Sequence, residues 1–167
     1  QAAGKQLVVV SSTISSGDVA AKFRDAGVPV IAWENSIFDD MLWTLNGGSD
    51  LGSIATQQNV EIVNATHPLA GGLSGTVQVV STARTLTFGL PNANAVVIAR
   101  STDGNNRAVL WAYDKNAPLI DGNSKAAQRG VGFLLDNDTA QSATEALATL
   151  FDAAVSWATS DTSPAAI

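Results

Sequence analysis

The chain contains no cysteine. That excludes a thiol nucleophile, a cysteine-ligated zinc and a disulfide framework. Basic residues are scarce as well: nine Lys and Arg stand against fifteen Asp and Glu, for a net charge of −6. Nucleic-acid binding rests on a basic footprint that neutralises phosphates, so this balance argues against it, and equally against an anionic membrane surface. No apolar run is long enough for a spanning helix, and no membrane insertion is expected. There is one histidine, His67, so any Ser-His-Asp hydrolase would have to use it.

What is present is apolar and small. Hydrophobic residues make up 46% of the chain and charged residues only 14%, which is a globular composition and not a disordered one. At 167 residues the chain can bury a real core. Ala, Ser, Thr, Asn and Gly take the place of charge, as in many secreted bacterial proteins. The end, Thr159-Ser160-Asp161-Thr162-Ser163-Pro164-Ala165-Ala166, reads as linker. The expectation is a single domain over residues 1–158 and a linker-like tail over 159–167, cut from a secreted or cell-surface bacterial multidomain protein.

Periodicity points to an α/β fold. Residues 7–11 form a β-branched run, expected as the first, central strand. Ser15 and Asp18 look like a capping box, and Val19, Ala20, Phe23 and Ala26 follow at helical spacing before Gly27. A second strand over 28–33 completes a parallel crossover. Ser36 and Asp39 suggest a second helix with Ile37, Phe38, Met41, Leu42 and Leu45 on its apolar face, ended by Gly47-Gly48. Strands are expected over 59–63, 76–80 and 85–88. Two more, over 95–100 and 107–113, flank Asp103-Gly104-Asn105-Asn106, a hairpin turn. The run 131–135 has no alternation and reads as a strand covered on both faces. A last helix presents Ala143, Ala146, Leu147, Leu150, Phe151, Ala154, Val155 and Ala158 inward. The expected architecture is a three-layer sandwich, flavodoxin-like, with a mixed, mostly parallel sheet and an antiparallel hairpin.

Three segments carry a family resemblance: the opening strand to Ser12, the run Asn64-Ala65-Thr66-His67-Pro68-Leu69-Ala70-Gly71-Gly72-Leu73, and the terminal helix ending Phe151-Asp152-Ala153-Ala154-Val155-Ser156-Trp157-Ala158. In this order they resemble the ThuA-like branch of the class I glutamine amidotransferase-like superfamily. The pieces Ser16-Gly17-Asp18-Val19 and Trp33-Glu34 with Phe38-Asp39-Asp40-Met41 resemble domains of large exported bacterial proteins that sit beside adhesion or carbohydrate-binding modules. The departures weigh on function. The amidotransferase nucleophile is a cysteine, and there is none. Where ThuA-like proteins often place an acidic-aromatic element after the His-Pro segment, Ser74-Gly75-Thr76-Val77 stands here. The resemblance therefore implies the fold and an association with sugars, and no catalytic residue.

In open α/β sheets ligands bind beyond the carboxyl ends of the strands, which puts Asp136, Asn137 and Asp138 at the mouth of any site. Asp136 and Asp138 could hold a hard cation, calcium being the fitting one; the competing reading is that Asp138 with Gln141 caps the last helix. Otherwise no cofactor is expected. The hydroxyl-rich loop over 11–17 resembles a flavin phosphate loop, yet capping recruits the same residues and no flavin-sandwiching aromatics follow. Trp33, Glu34 and Asn35 end the second strand, and Asp39, Asp40 and Trp43 lie off the apolar face of the next helix. An indole beside carboxylates and amides suits a sugar; for both tryptophans core packing is the alternative. His67 either joins that surface, serves as a catalytic base, or fixes the His-Pro turn through its ring. Three functions stay open. The leading one is a non-catalytic glycan-binding or interaction module, with carbohydrate or neighbouring domains as partners. The second is a carbohydrate or ester hydrolase using Ser12, His67 and Asp136. The third is a structural spacer.

Overall fold

A computed structural model describes residues 2–160. Nine strands form one mixed sheet. β1 (Val8–Val10), β2 (Val30–Ala32) and β9 (Gly130–Gly132) run parallel. β8 (Ala108–Tyr113), β7 (Val96–Ser101), β4 (Asn59–Ile62) and β5 (Gly75–Gln78) then follow in antiparallel order. β3 (Leu51–Gln57) and β6 (Arg84–Gly89) make an antiparallel ribbon joined to β8 at Gly89. The expected α/β fold and mixed sheet are present, but the sheet is mostly antiparallel, not mostly parallel. Parallel neighbours need a long crossover, and between residues 38 and 129 the described chain provides no α-helix to make one. Turns and irregular loops join the strands there, including the expected Asp103–Asn106 turn, where Ser101 N donates to Arg107 O at 2.8 Å.

The opening strand is not central. Among the described residues β1 pairs only with β2, and Val9 is 42% exposed. The central strand is β8, buried at all six positions. Both faces of the sheet are covered, as the unalternating run over 131–135 indicates. On one face Ile31, Val131, Leu134 and Ala112 pack under α2 (Glu145–Thr159) through Leu147, Leu150, Ala154, Trp157 and Ala158. On the other, Val10, Ala32, Trp111 and Tyr113 meet Ile37, Phe38, Met41 and Trp43.

That second face depends on glycine. Gly130 and Gly132 pair with Tyr113 and Trp111. A Cβ on Gly130 would stand 2.5 Å from the Trp43 ring, and one on Gly132 would overlap the Trp111 indole outright. Gly89 likewise leaves its Cβ position to Trp111, at 2.7 Å. Two indoles thus lie directly on backbone, and Phe38 meets Trp111 edge-on at 4.8 Å.

The second expected helix is much shorter than its pattern. A 3-10 turn over Asn35–Ile37 leads into one helical turn that stops at Leu42. Leu42 takes φ 57°, Leu42 N donates to Asp39 O, and Trp43 N donates to Phe38 O at 2.8 Å. This is a Schellman ending with leucine at the left-handed position usually held by glycine. Its usual apolar contact is also present, Phe38 against Trp43 at 6.0 Å. Gly47-Gly48 is not the stop. The reversal aims Trp43 inward onto Gly130, and Tyr113 fixes it by donating its buried hydroxyl to Trp43 O at 2.9 Å. Burial pushes the Tyr113 hydroxyl up to about 12, against the Asn92 N–H that it accepts.

The first helix is likewise short: α1 covers Ser16–Val19 and a 3-10 turn Ala20–Phe23 follows. Ser15 makes no capping bond from its side chain. α2 begins later than expected. Thr144 caps it, its Oγ1 accepting from Leu147 N at 3.3 Å. Asp138 makes no capping bond and instead pairs with Arg84 at 3.0 Å. α2 also reaches Thr159, with Ser160 as its C-cap; residues 161–167 of the expected tail lie outside the described residues.

Gly132→Ala should therefore lower stability in urea unfolding by about 1–3 kcal/mol or more through overpacking against Trp111. Gly27, with open space at its Cβ position, is the matched control: Gly27→Ala should stay within about 1 kcal/mol of wild type.

Candidate functional site

β1, β2 and β9 end side by side, with Val10 opposite Ala32 and Ala32 opposite Gly132. The segments leaving them carry Ser12, then Trp33, Glu34 and Asn35, then Asp136. β3 crosses this end, and its Ser53 ties two of these segments together. Ser53 Oγ donates to Asp136 Oδ2 at 2.7 Å and accepts from Asn35 Nδ2 at 3.1 Å. Asp136 Oδ1 takes the Asn137 N–H at 2.6 Å. Glu34 is turned to its own backbone, Oε1 accepting from Ser36 N at 3.2 Å. The Ser12 hydroxyl is buried and has no partner among the described residues.

Beside this polar chain lies an apolar groove of about 330 Å3. Trp33, Phe133, Leu135, Leu147 and Phe151 form most of its wall. Its aromatics are locked edge-on: Trp33 is 6.2 Å from Phe151, and Phe133 is 5.5 Å from Phe151. Trp33 and Phe151 are half-buried, so each keeps a face toward the groove while its body packs on the α2 core.

The structure does not assemble the expected surface as one patch. Trp43 is 3% exposed and sits in the core on the opposite face from Trp33; it is packing, not a ligand platform. Asp39 and Asp40 are half-exposed on the turn that leads to it, and Arg24 donates to the Asp40 carbonyl at 3.4 Å. Asp136 and Asp138 do not converge either, since Ser53 holds one and Arg84 the other.

His67 lies elsewhere. Its Nδ1 accepts from Leu69 N at 3.2 Å, which places the proton on Nε2 and fixes the turn before Pro68–Ala70. The ring stands 5.6 Å from Trp157. Arg129, just before β9, stacks on the Trp157 ring at 4.4 Å and donates to Trp157 O at 2.6 Å and to Ser160 Oγ at 2.7 Å. It also meets Asp114 at 2.9 Å. His67 thus belongs to the amino end of β9, and Asp136 lies beyond its carboxyl end. Among the described residues no hydrogen bond joins His67 to Ser12 or Asp136. Burial lowers the pKa of His67 from 6.5; Asp114 opposes and Arg129 adds to the effect.

Ser53, Phe133, Leu135 and Leu147 were not anticipated as site residues. Only Ile54 is buried in β3, so that strand gives no period-two signal. The groove residues read correctly as core; what the pattern lacks is the gap between Trp33 and α2. Among the described residues no helix is long and apolar enough to cross a membrane.

No protein-family model and no curated protein matches the chain. Solved structures do. The cytoplasmic protein STM3548 from Salmonella typhimurium superposes with a TM-score of 0.59 at 12% identity, over 92% of this chain and 71% of its own. The cytoplasmic protein STM1381 from Salmonella typhimurium LT2 gives 0.58 at 12% identity over the same shares. The likeness is one of fold.

The histidine predicts a pH dependence. A lowered folded pKa means that the unfolded chain binds more protons, so stability rises with pH in that range. The His67 contribution is complete above 6.5 and is lost as pH falls from there through the folded value. Asp114 is held below its usual range, its Arg129 and Lys115 N–H bonds outweighing burial, and acts only in more acid solution. Urea unfolding between about pH 7 and pH 5 should show wild type losing stability faster than His67→Gln.

Proposed function

We propose that this chain is a non-catalytic carbohydrate-binding module, and that it binds along the Trp33 groove. The observation that carries the reading is the pairing of an aromatic wall with a polar edge at one strand end. Trp33 and Phe151 offer apolar faces for sugar C–H groups, and Asn35, Ser53 and Asp136 offer an amide, a hydroxyl and a carboxylate for sugar hydroxyls. Of the residues first expected to bind carbohydrate, this keeps Trp33 and Asn35 and drops Trp43 and His67; Asp136, expected only as a cation or hydrolase residue, joins the surface with Ser53. Relationship to the ThuA-like branch is part of the proposal. It is supported by the parallel β1–β2 start, the His67-fixed turn and the terminal helix α2 that carries Trp157 in its last turn. Placement at the bacterial surface or outside the cell rests on composition.

The test is a glycan array followed by titration of any hit through intrinsic fluorescence. Trp33→Ala should weaken binding at least tenfold, about 1.4 kcal/mol, while His67→Ala keeps affinity within about tenfold. Absence of any glycan hit would remove the reading. Turnover of an ester or glycoside that His67→Ala abolishes in a folded protein would replace it with the hydrolase.

A further inference from the structure

Asn46-Gly47 is the one Asn-Gly pair in the chain. It lies in the irregular segment between Trp43 and β3, outside any helix or strand, and Asn46 is exposed. Neither the Asn46 side-chain amide nor the Gly47 N–H makes a hydrogen bond among the described residues. Gly47 has no Cβ to shield its nitrogen, and the Asp50 carboxylate fills the place where that Cβ would stand. We propose that Asn46-Gly47 is a site of spontaneous covalent modification by deamidation.

The step balances without a co-reactant other than water. The Gly47 nitrogen, losing its proton to hydroxide, attacks Asn46 Cγ. The new N–Cγ bond forms, the Cγ–Nδ2 bond breaks, and nitrogen leaves as ammonia after taking up a proton. Water then opens the succinimide at either carbonyl. One opening leaves aspartate at position 46, and the other leaves an isoaspartyl linkage that carries the main chain through the side-chain carbon. Either product adds a negative charge near Asp50.

The rest of the structure supplies the contrast. At Asn123-Ser124 the attacking Ser124 N donates to Asp121 Oδ1 at 2.9 Å, and Asn123 Nδ2 donates to Asp121 O at 3.2 Å. At Asn35-Ser36 the attacking N–H is held by Glu34 at 3.2 Å and the amide by Ser53 at 3.1 Å. At Asn105 the amide is held by Asp103 at 2.8 Å. In each case folding restrains a reacting group that at Asn46 is unengaged.

The experiment is to incubate the folded protein at mildly alkaline pH and follow each asparagine by peptide mass spectrometry and isoaspartyl methyl-transfer labelling. Conversion at Asn46 should run ahead of that at Asn35, Asn105 and Asn123, and Asn46→Gln should remove the isoaspartyl signal. A parallel sample in denaturant releases the held sites; there Asn123 should begin to convert, so the folded contrast is read against a working assay. No conversion at Asn46 in the folded protein, or conversion at Asn123 at the same rate as at Asn46, overturns the proposal.

Discussion

Two indole rings lie on bare backbone in this protein, and much of the second sheet face is arranged around that contact. Gly130 and Gly132 present no side chain on one side of β9 while Val131 packs on the other. The space above the glycines is filled by Trp43 and Trp111, which no smaller pair would fill. Trp111 comes from the neighbouring strand and needs no special route. Trp43 has to be delivered from outside the sheet. The left-handed Leu42, the Schellman hydrogen bonds and the Tyr113 hydroxyl are the means of delivery. The cost is visible in the polar atoms left behind: Trp111 Nε1 and Thr44 Oγ1 are buried with no partner among the described residues.

This explains which elements were legible in the sequence. Strands were, because apolar runs such as 30–32 and 108–113 are buried whichever neighbour they take. α2 was, because Leu147, Leu150, Ala154 and Ala158 repeat over four turns and no other arrangement hides them. The segment from Asn35 to Leu45 misled for a physical reason. Ile37, Phe38 and Met41 are inward at helical spacing in both the expected helix and the observed turn. What stops the helix is the fit of Trp43 on a glycine nearly ninety residues away, which no local pattern encodes. Strand order was hidden for the same reason: β1 has the composition of a central strand and is an edge.

The site was half legible. The strand-end rule puts Asp136 beyond the carboxyl end of β9, as Trp33 and Asn35 lie beyond that of β2, because it depends only on parallel β1, β2 and β9. It could not reveal that β3 would pass over that end and join Asn35 to Asp136 through Ser53. Nor could it separate Trp33 from Trp43, since the sheet lying between them is a product of the whole chain. The result is a surface whose apolar part belongs to the α2 core and whose polar part is held by β3. Its rigidity comes from two sources that need not change together.

The contact between His67 and Trp157 has an optical consequence. An imidazolium accepts an electron from an excited indole far more readily than a neutral imidazole does, and the two rings are 5.6 Å apart. Of the four tryptophans, Trp157 is the one in contact with the histidine, while Trp43 and Trp111 are sealed over glycine. The emission of this protein therefore contains a component that dims as His67 takes up its proton. The chain carries its own indicator for the state of the turn before Pro68.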